Sequence, residues 1–81
     1  MIVEYIKLAM KKAHYESLVD DDTFYGEIPG FQGVYANAPT LEECRDELES
    51  VLEDWILFSI SRNMTLPILD GLSLEIKEMN A

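Results

Sequence analysis

The sequence predicts an α+β fold: an N-terminal helix followed by a β-β-β-α-β domain, with an antiparallel, hairpin-based sheet and one long helix packed on one face. Three observations predict it. Apolar residues recur at three- and four-residue spacing in residues 2–13, short strand-like segments follow up to residue 37, and a long helical pattern begins at Leu41. With 81 residues the chain is near the lower limit for a single core, so one domain is expected over residues 1–81.

The N-terminal helix is expected in residues 1–13, with the core in residues 14–78. About 12 residues are too few for a stable helix in water, so its apolar stripe must pack on its own domain or on a second copy. The small core and the broad apolar end of the long helix favour a second copy, as a homodimer or homotetramer. The interface predicted for it contains Ile2, Tyr5, Ile6, Ala9, Met10, Trp55, Phe58 and Ile60.

The first two strands are predicted in "HYESLV" and "FYGEI", joined by the acidic turn "DDDT". In the second strand, alternation places Phe24, Gly26 and Ile28 on one face and Tyr25 and Glu27 on the other. A glycine weakens a strand interior unless another group must approach closely. We expect that group to be the Trp55 indole of the long helix.

The segment "IPGFQGVYANAPTLEE" predicts a corner, a third strand and a helix start. Proline cannot donate to a strand ladder and Gly30 tolerates positive φ, so "IPGF" ends the second strand and "GVYAN" begins the third. Thr40 is expected as the N-cap of a helix from Leu41 to about Arg62, with Glu43 in the capping-box position. Asn63 suits a left-handed helix end, and "LSLEIK" from Leu72 alternates as a fourth strand.

Charge limits the classes of partner. The chain has 16 Asp and Glu against 6 Lys and Arg, a net charge of −10, which disfavours direct nucleic-acid binding and favours a basic protein partner. The long helix places four acids at spacings of four, three and four, which form one stripe. We predict that this stripe binds the partner, although a solvated face is the simpler interpretation. Its members are Glu42, Asp46, Glu49 and Glu53.

Reactive groups do not form a catalytic pattern. Cys44 lies in the helical pattern and is expected to be a small buried residue, while His14 has no nucleophile or second acid in a motif with it. Asp20, Asp22 and Glu27 are the best carboxylates for a magnesium site, but the aspartates are close only because they share a turn. We therefore expect no enzyme activity, no cofactor and no metal. The absence of a membrane span or secretion signal predicts a cytoplasmic location, without membrane partners.

The stretch "FYGEIPGFQGVYANAPTLEECRDELESVLEDWI", followed by "LP", resembles the HicB-like antitoxin family. The resembling features are an aromatic-rich second strand, a P-x-hydrophobic-x-G-V corner, a T-L-E-E helix start and an E-x-W near the helix end. They cover about residues 14–77. The chain is most similar to the short, stand-alone members, which have an N-terminal helix and no C-terminal DNA-binding segment.

This resemblance implies a partial RNase H-like fold without its catalytic carboxylates. It also implies that the protein neutralises a HicA-type toxin, a small basic ribonuclease that cleaves messenger RNA. Two other functions stay open. The chain is alternatively a non-catalytic structural or ligand-sensing homo-oligomer without a toxin, or, as a minor alternative, a metal-dependent RNase H-like nuclease.

Overall fold

The computed structural model describes residues 2–69, which form two helices and a three-stranded antiparallel sheet in the strand order β1-β2-β3. This confirms the α+β class and the order of the first five elements. The fourth strand, predicted from Leu72, lies outside the described residues. Within residues 2–69, neither helix is long and apolar enough to cross a membrane. The elements are α1 (Ile2–Lys11), β1 (His14–Leu18), β2 (Thr23–Glu27), β3 (Tyr35–Ala38) and α2 (Leu41–Ser61).

The strands form a meander in which neighbours in sequence are neighbours in the sheet. The β1–β2 turn includes Asp22, whose φ of 56° is left-handed, a conformation that aspartate tolerates better than most residues. Gly26 on the central strand pairs with Tyr15 on β1 and with Ala36 on β3. This row faces α2, so alternate residues of all three strands point to the opposite, open face.

The corner between β2 and β3 contains the predicted positive-φ residue Gly30, but β3 begins at Tyr35, later than the predicted start in "GVYAN". Gly30 and Gly33 have φ values of 88° and 89°, which side chains with a Cβ rarely adopt. The Phe31 amide donates to the Ile28 carbonyl, and the Val34 amide donates to the Phe31 carbonyl, each at 3.1 Å. These two turns place Ile28, Phe31 and Val34 in the core, each at most 3 % exposed.

Helix α2 begins and ends near the predicted residues. Thr40 is the N-cap: its hydroxyl oxygen accepts the Glu43 amide at 3.1 Å and lies 3.2 Å from the Glu43 carboxylate, to which it can donate. Acids in the first turn also suit the positive end of the helix dipole. Asn63 has a φ of 56° and stops the helix, as predicted.

The core lies between α2, the helix-facing side of the sheet, the corner and α1. Helix α2 contributes buried side chains at helical spacing, so one stripe of it faces the sheet. Cys44 is fully buried, as the sequence predicts. The core members are Tyr5, Ala9, Ile28, Phe31, Val34, Ala36, Ala38, Cys44, Leu48, Leu52, Ile56, Leu66 and Leu69.

Helix α1 packs on its own domain. Tyr5 and Ala9 have no exposed surface, and the Tyr5 hydroxyl donates to the Pro67 carbonyl. The Tyr5 ring also meets the edge of Phe31, with 6.2 Å between ring centroids. Tyr5 and Ala9 therefore stabilise the monomer in this structure. Their assignment to an interface with a second copy is corrected, because they have no surface left to present.

The glycine of the central strand has a different neighbour from the one expected. A Cβ at Gly26 would lie 2.9 Å from the Tyr15 ring and 3.1 Å from the Cys44 sulfur. Trp55 packs instead on Phe31 of the corner, with ring centroids 5.1 Å apart at 61°. The close approach at Gly26 is confirmed, whereas Trp55 as its cause is wrong.

Because Tyr5 is buried, we expect the protein to lose stability at alkaline pH. Burial raises the pKa of Tyr5 to about 12, whereas an unfolded tyrosine titrates near 10. Between these values the folded state keeps a proton that the unfolded state has lost, so the free energy of unfolding falls as pH rises. Below pH 10 this contribution is constant. Urea denaturation at about pH 8.5 and about pH 11.5 should show a smaller fall for Tyr5→Phe than for wild type. Equal falls for both proteins would contradict the assignment.

Candidate protein-interaction surfaces

The predicted acidic stripe on α2 divides into two environments. Glu42, Asp46 and Glu53 are exposed, whereas Glu49 is half-buried and turned toward α1. Three of the four predicted carboxylates therefore face solvent fully, and Glu49 does so only in part.

Glu49 lies in a groove between α1 and α2 of about 310 Å³, whose other lining residues are Ile6, Lys7, Met10, Lys11 and Arg45. The groove contains three of the chain's 6 Lys and Arg residues. Three cations that line the same groove reduce the negative potential around Glu49. Glu49, predicted from its spacing alone as a partner contact, is thus a weaker candidate than the other three acids.

Further acidic residues lie near Asp46, on the side of α2 toward the end of β3. Asp46 lines a cleft of about 580 Å³ between the first turns of α2 and the end of β3. Glu43 and Glu47 belong to the same cleft, which is completed by Asn37, Ala38, Pro39 and Ser50. The anionic surface is therefore broader than the predicted stripe and extends from α2 toward the β3 edge.

The open face of the sheet contains a second cluster, which the sequence analysis did not assign. Tyr25 and Tyr35, on neighbouring strands, have ring centroids 6.3 Å apart and an interplanar angle of 29°. The Tyr25 hydroxyl donates to a Glu27 carboxylate oxygen at 3.1 Å. Partial burial and this hydrogen bond raise the pKa of Tyr25. Alternation placed Tyr25 and Glu27 on this face, but only the strand pairing shows which β3 residues lie beside them.

The register orders this face into rows. His14, Glu27 and Tyr35 form one row across the three strands, and Glu16, Tyr25 and Asn37 form the next. At the β1 side, a concavity of about 560 Å³ is lined by Ala13, His14, Tyr15, Glu16, Tyr25 and Glu27. Asn37 is fixed at the other side, where its amide donates to the Thr23 hydroxyl at 3.0 Å and to the Phe24 carbonyl at 2.9 Å.

The carboxylates of the nuclease alternative do not come together. Asp20 and Asp22 lie in the β1–β2 turn, while Glu27 is at the far end of β2, opposite His14. Glu27 is five positions beyond Asp22 along an extended chain, a span of roughly 16 Å. Within residues 2–69, no group of three His, Cys, Asp or Glu side chains is placed to hold a metal ion.

The two other reactive side chains also occupy separate places. His14 is exposed at the start of β1. Burial, with a further contribution from Glu47, raises the pKa of the Cys44 thiol, and its sulfur lies 3.7 Å from the Ala36 carbonyl oxygen. A buried thiol with a raised pKa is a poor nucleophile.

Part of the predicted oligomer interface remains accessible. Phe58 is 51 % exposed and Ile2 is 36 % exposed, while Ile6, Met10, Trp55 and Ile60 are half-buried. Leu57, which the sequence analysis did not assign, is 61 % exposed beside Phe58. The C-terminal half of α2 thus presents an apolar surface to solvent.

The chain is similar to a protein family and to a solved structure. The model of a family described as UPF0150-like matches residues 4–67. A solved structure, that of TTHA0281 from Thermus thermophilus, is 40 % identical to the chain, with a TM-score of 0.88 over 95 % of each chain. No curated protein shows significant similarity.

Proposed function

The chain belongs to the UPF0150-like family, and from this premise we propose that it is a HicB-like antitoxin. It binds a small basic HicA-type messenger-RNA ribonuclease directly and neutralises it. We assign the sheet and α2 to the partial RNase H-like fold that the sequence resemblance implies. The order of three antiparallel strands followed by a long covering helix supports this assignment. The cytoplasm, where messenger RNA is cleaved, is its proposed location.

The observation that supports this function best is the anionic surface of α2. Glu42, Asp46 and Glu53 are exposed on one side of the helix, and the cleft beside Asp46 adds further carboxylates. A ribonuclease must attract phosphate groups, so its substrate surface is cationic. An anionic protein surface is complementary to it and would increase the rate of association.

The proposal predicts a specific effect of charge reversal on α2. Asp46→Lys combined with Glu53→Lys should slow association with a HicA-type ribonuclease on the order of tenfold at low salt. The effect should shrink as salt screens the charges. Both side chains are exposed, so folding should be nearly unchanged. Association rates are measured on immobilised ribonuclease at two salt concentrations.

The matched control reverses two exposed acids away from α2, Glu4→Lys with Asp21→Lys. It changes the net charge equally, so it separates the surface from the overall charge. If both double variants associate at the same rate, the α2 surface is not the partner contact. If the wild-type protein binds no HicA-type ribonuclease at micromolar concentration, the antitoxin function is wrong.

A second candidate function is a structural homo-oligomer without a toxin partner. It is favoured by exposed apolar side chains at the end of α2 and just after it. Leu57 and Phe58 are 61 % and 51 % exposed, and Met64 and Ile68 are 49 % and 68 % exposed. Apolar side chains concentrated in one region often mark a protein–protein contact.

If the protein self-associates through this apolar surface, substitutions in the surface should lower its apparent mass in solution. Leu57→Lys with Phe58→Glu should lower the apparent mass in sedimentation, because both exposed side chains would place charge in the contact. Val19→Glu is the control, since Val19 is 86 % exposed in the β1–β2 turn. A monomeric wild-type protein at micromolar concentration would exclude the oligomer.

A further inference from the structure

The open face of the sheet is anionic and aromatic. Eight residues of the three strands point to it, and they include two carboxylates and two tyrosines but no lysine or arginine. The Tyr35 ring is 59 % exposed. The eight residues are His14, Glu16, Leu18, Thr23, Tyr25, Glu27, Tyr35 and Asn37.

The carboxylates flank the aromatic pair. Glu16 pairs directly with Tyr25 across the strands, and Glu27 pairs with Tyr35 in the adjacent row. Glu27 accepts one hydrogen bond from the Tyr25 hydroxyl, and an ionised carboxylate has about four acceptor positions. Glu27 can therefore accept further hydrogen bonds from a bound group while it keeps Tyr25 in place.

We propose that this face is an arginine-binding site, in which an arginine guanidinium of a basic protein partner stacks on the Tyr25–Tyr35 pair. Its N–H groups donate to Glu27 and Glu16. A guanidinium is planar, remains charged and stacks on aromatic rings, so one group satisfies both the rings and the carboxylates. The concavity beside Glu16 and Glu27 accommodates the approach of the side chain from the β1 side.

Other occupants fit this chemistry less well. Nucleic-acid bases also stack on tyrosine, but their phosphates would meet Glu16 and Glu27 in a protein with a net charge of −10. Lysine would be attracted by the same carboxylates, but its ammonium is compact, strongly hydrated and not planar. The site should therefore prefer arginine to lysine, which charge alone does not predict.

The inference deepens the proposed function and rests on it for the identity of the partner, a HicA-type ribonuclease. The chemistry of the site can be tested without that partner. The probe is a blocked pentapeptide with two arginines separated by glycines, compared with the same peptide containing lysines. NMR spectra follow the ring protons of Tyr25 and Tyr35 during each titration.

The arginine peptide should shift both tyrosine rings and bind several-fold more tightly than the lysine peptide. Tyr35→Leu should weaken its binding on the order of tenfold, since it removes a π-face. Tyr35→Phe keeps that face and is the matched control, expected to bind like wild type. Glu27→Gln should also weaken binding while still accepting the Tyr25 hydrogen bond. Equal affinity for the two peptides, or no shift of either tyrosine ring, would overturn the site.

Binding of a HicA-type ribonuclease separates the two proposals. If Tyr35→Leu binds the ribonuclease as tightly as wild type does, the arginine site is wrong and the antitoxin proposal stands. If no ribonuclease binds but the arginine peptide occupies the open face, the antitoxin proposal fails and the site stands. Loss of ribonuclease binding in Tyr35→Leu but not in Tyr35→Phe supports both.

Discussion

Leu52→Ala should lower the free energy of unfolding by about 2–5 kcal/mol, the range for truncating a buried leucine. Leu52 has no exposed surface and lies between the fully buried Leu48 and Ile56 on the core side of α2. Truncation to alanine leaves a cavity in the hydrophobic core. Small domains have total stabilities of about 5–15 kcal/mol, so this single change removes a large share. Urea denaturation at neutral pH measures the loss.

Leu57→Ala is the matched control, because it makes the same truncation on the same helix at a position that is 61 % exposed. Truncating an exposed side chain leaves no internal cavity, so its effect should stay within about 0.5 kcal/mol. Both variants make the same Leu-to-Ala change in the same helix, so helix propensity contributes equally to both. The difference between their losses of unfolding free energy therefore measures the effect of burial. Similar losses would mean that Leu57 is buried too, as it would be in an oligomer.

Gly26→Val should destabilise the protein by about 1–3 kcal/mol, although valine is the better strand residue. A Cβ at this position would be 2.9 Å from the Tyr15 ring, closer than carbon atoms approach without a shift. The Cys44 sulfur, at 3.1 Å, limits movement on the helix side. The two methyl groups of valine add to this overpacking. A thermal melt of the variant provides the measurement.

A double-mutant cycle identifies the cause of that loss. In a Tyr15→Ala background the ring is absent, so Gly26→Val should cost less than it does in wild type. Tyr15→Ala alone will also destabilise the protein, which the cycle subtracts. An unchanged cost in both backgrounds would show that Tyr15 does not set the requirement for glycine.

The sequence predicted the helix and strand bounds well because local signals define them. Thr40 and Asn63 are a cap and a left-handed terminator on either side of a helical pattern, and Gly30 is a turn residue with positive φ. The residues that pack against Gly26 were predicted wrongly because they depend on which part of α2 lies over the strands. Trp55 is 14 residues beyond Leu41, about 21 Å along the helix, whereas four- and five-residue strands span only about 13–17 Å. Trp55 is therefore past the strands and meets the corner.

The candidate surfaces were predicted only in part for a related reason. Helical spacing places Glu42, Asp46, Glu49 and Glu53 on one side of α2, but it does not show where α1 lies. In the structure, Lys7 and Lys11 line the same groove as Glu49, which gives that acid a different environment from the other three. The Tyr25–Tyr35 pair depends on the register between β2 and β3, and the loop of two turns between them hides that register in the sequence.

The hydrogen bond from Tyr5 to Pro67 joins residues 62 positions apart, almost the two ends of the described chain. The sheet, by contrast, forms from hairpins between neighbouring segments, whose closure loses little chain entropy. During synthesis, α1 leaves the ribosome before the other described elements, whereas its binding surface on α2 and the Pro67 carbonyl follow only after the whole sheet. The apolar stripe of α1 therefore stays exposed until α2 and Pro67 have emerged. Of the described elements, α1 is expected to be the last to dock.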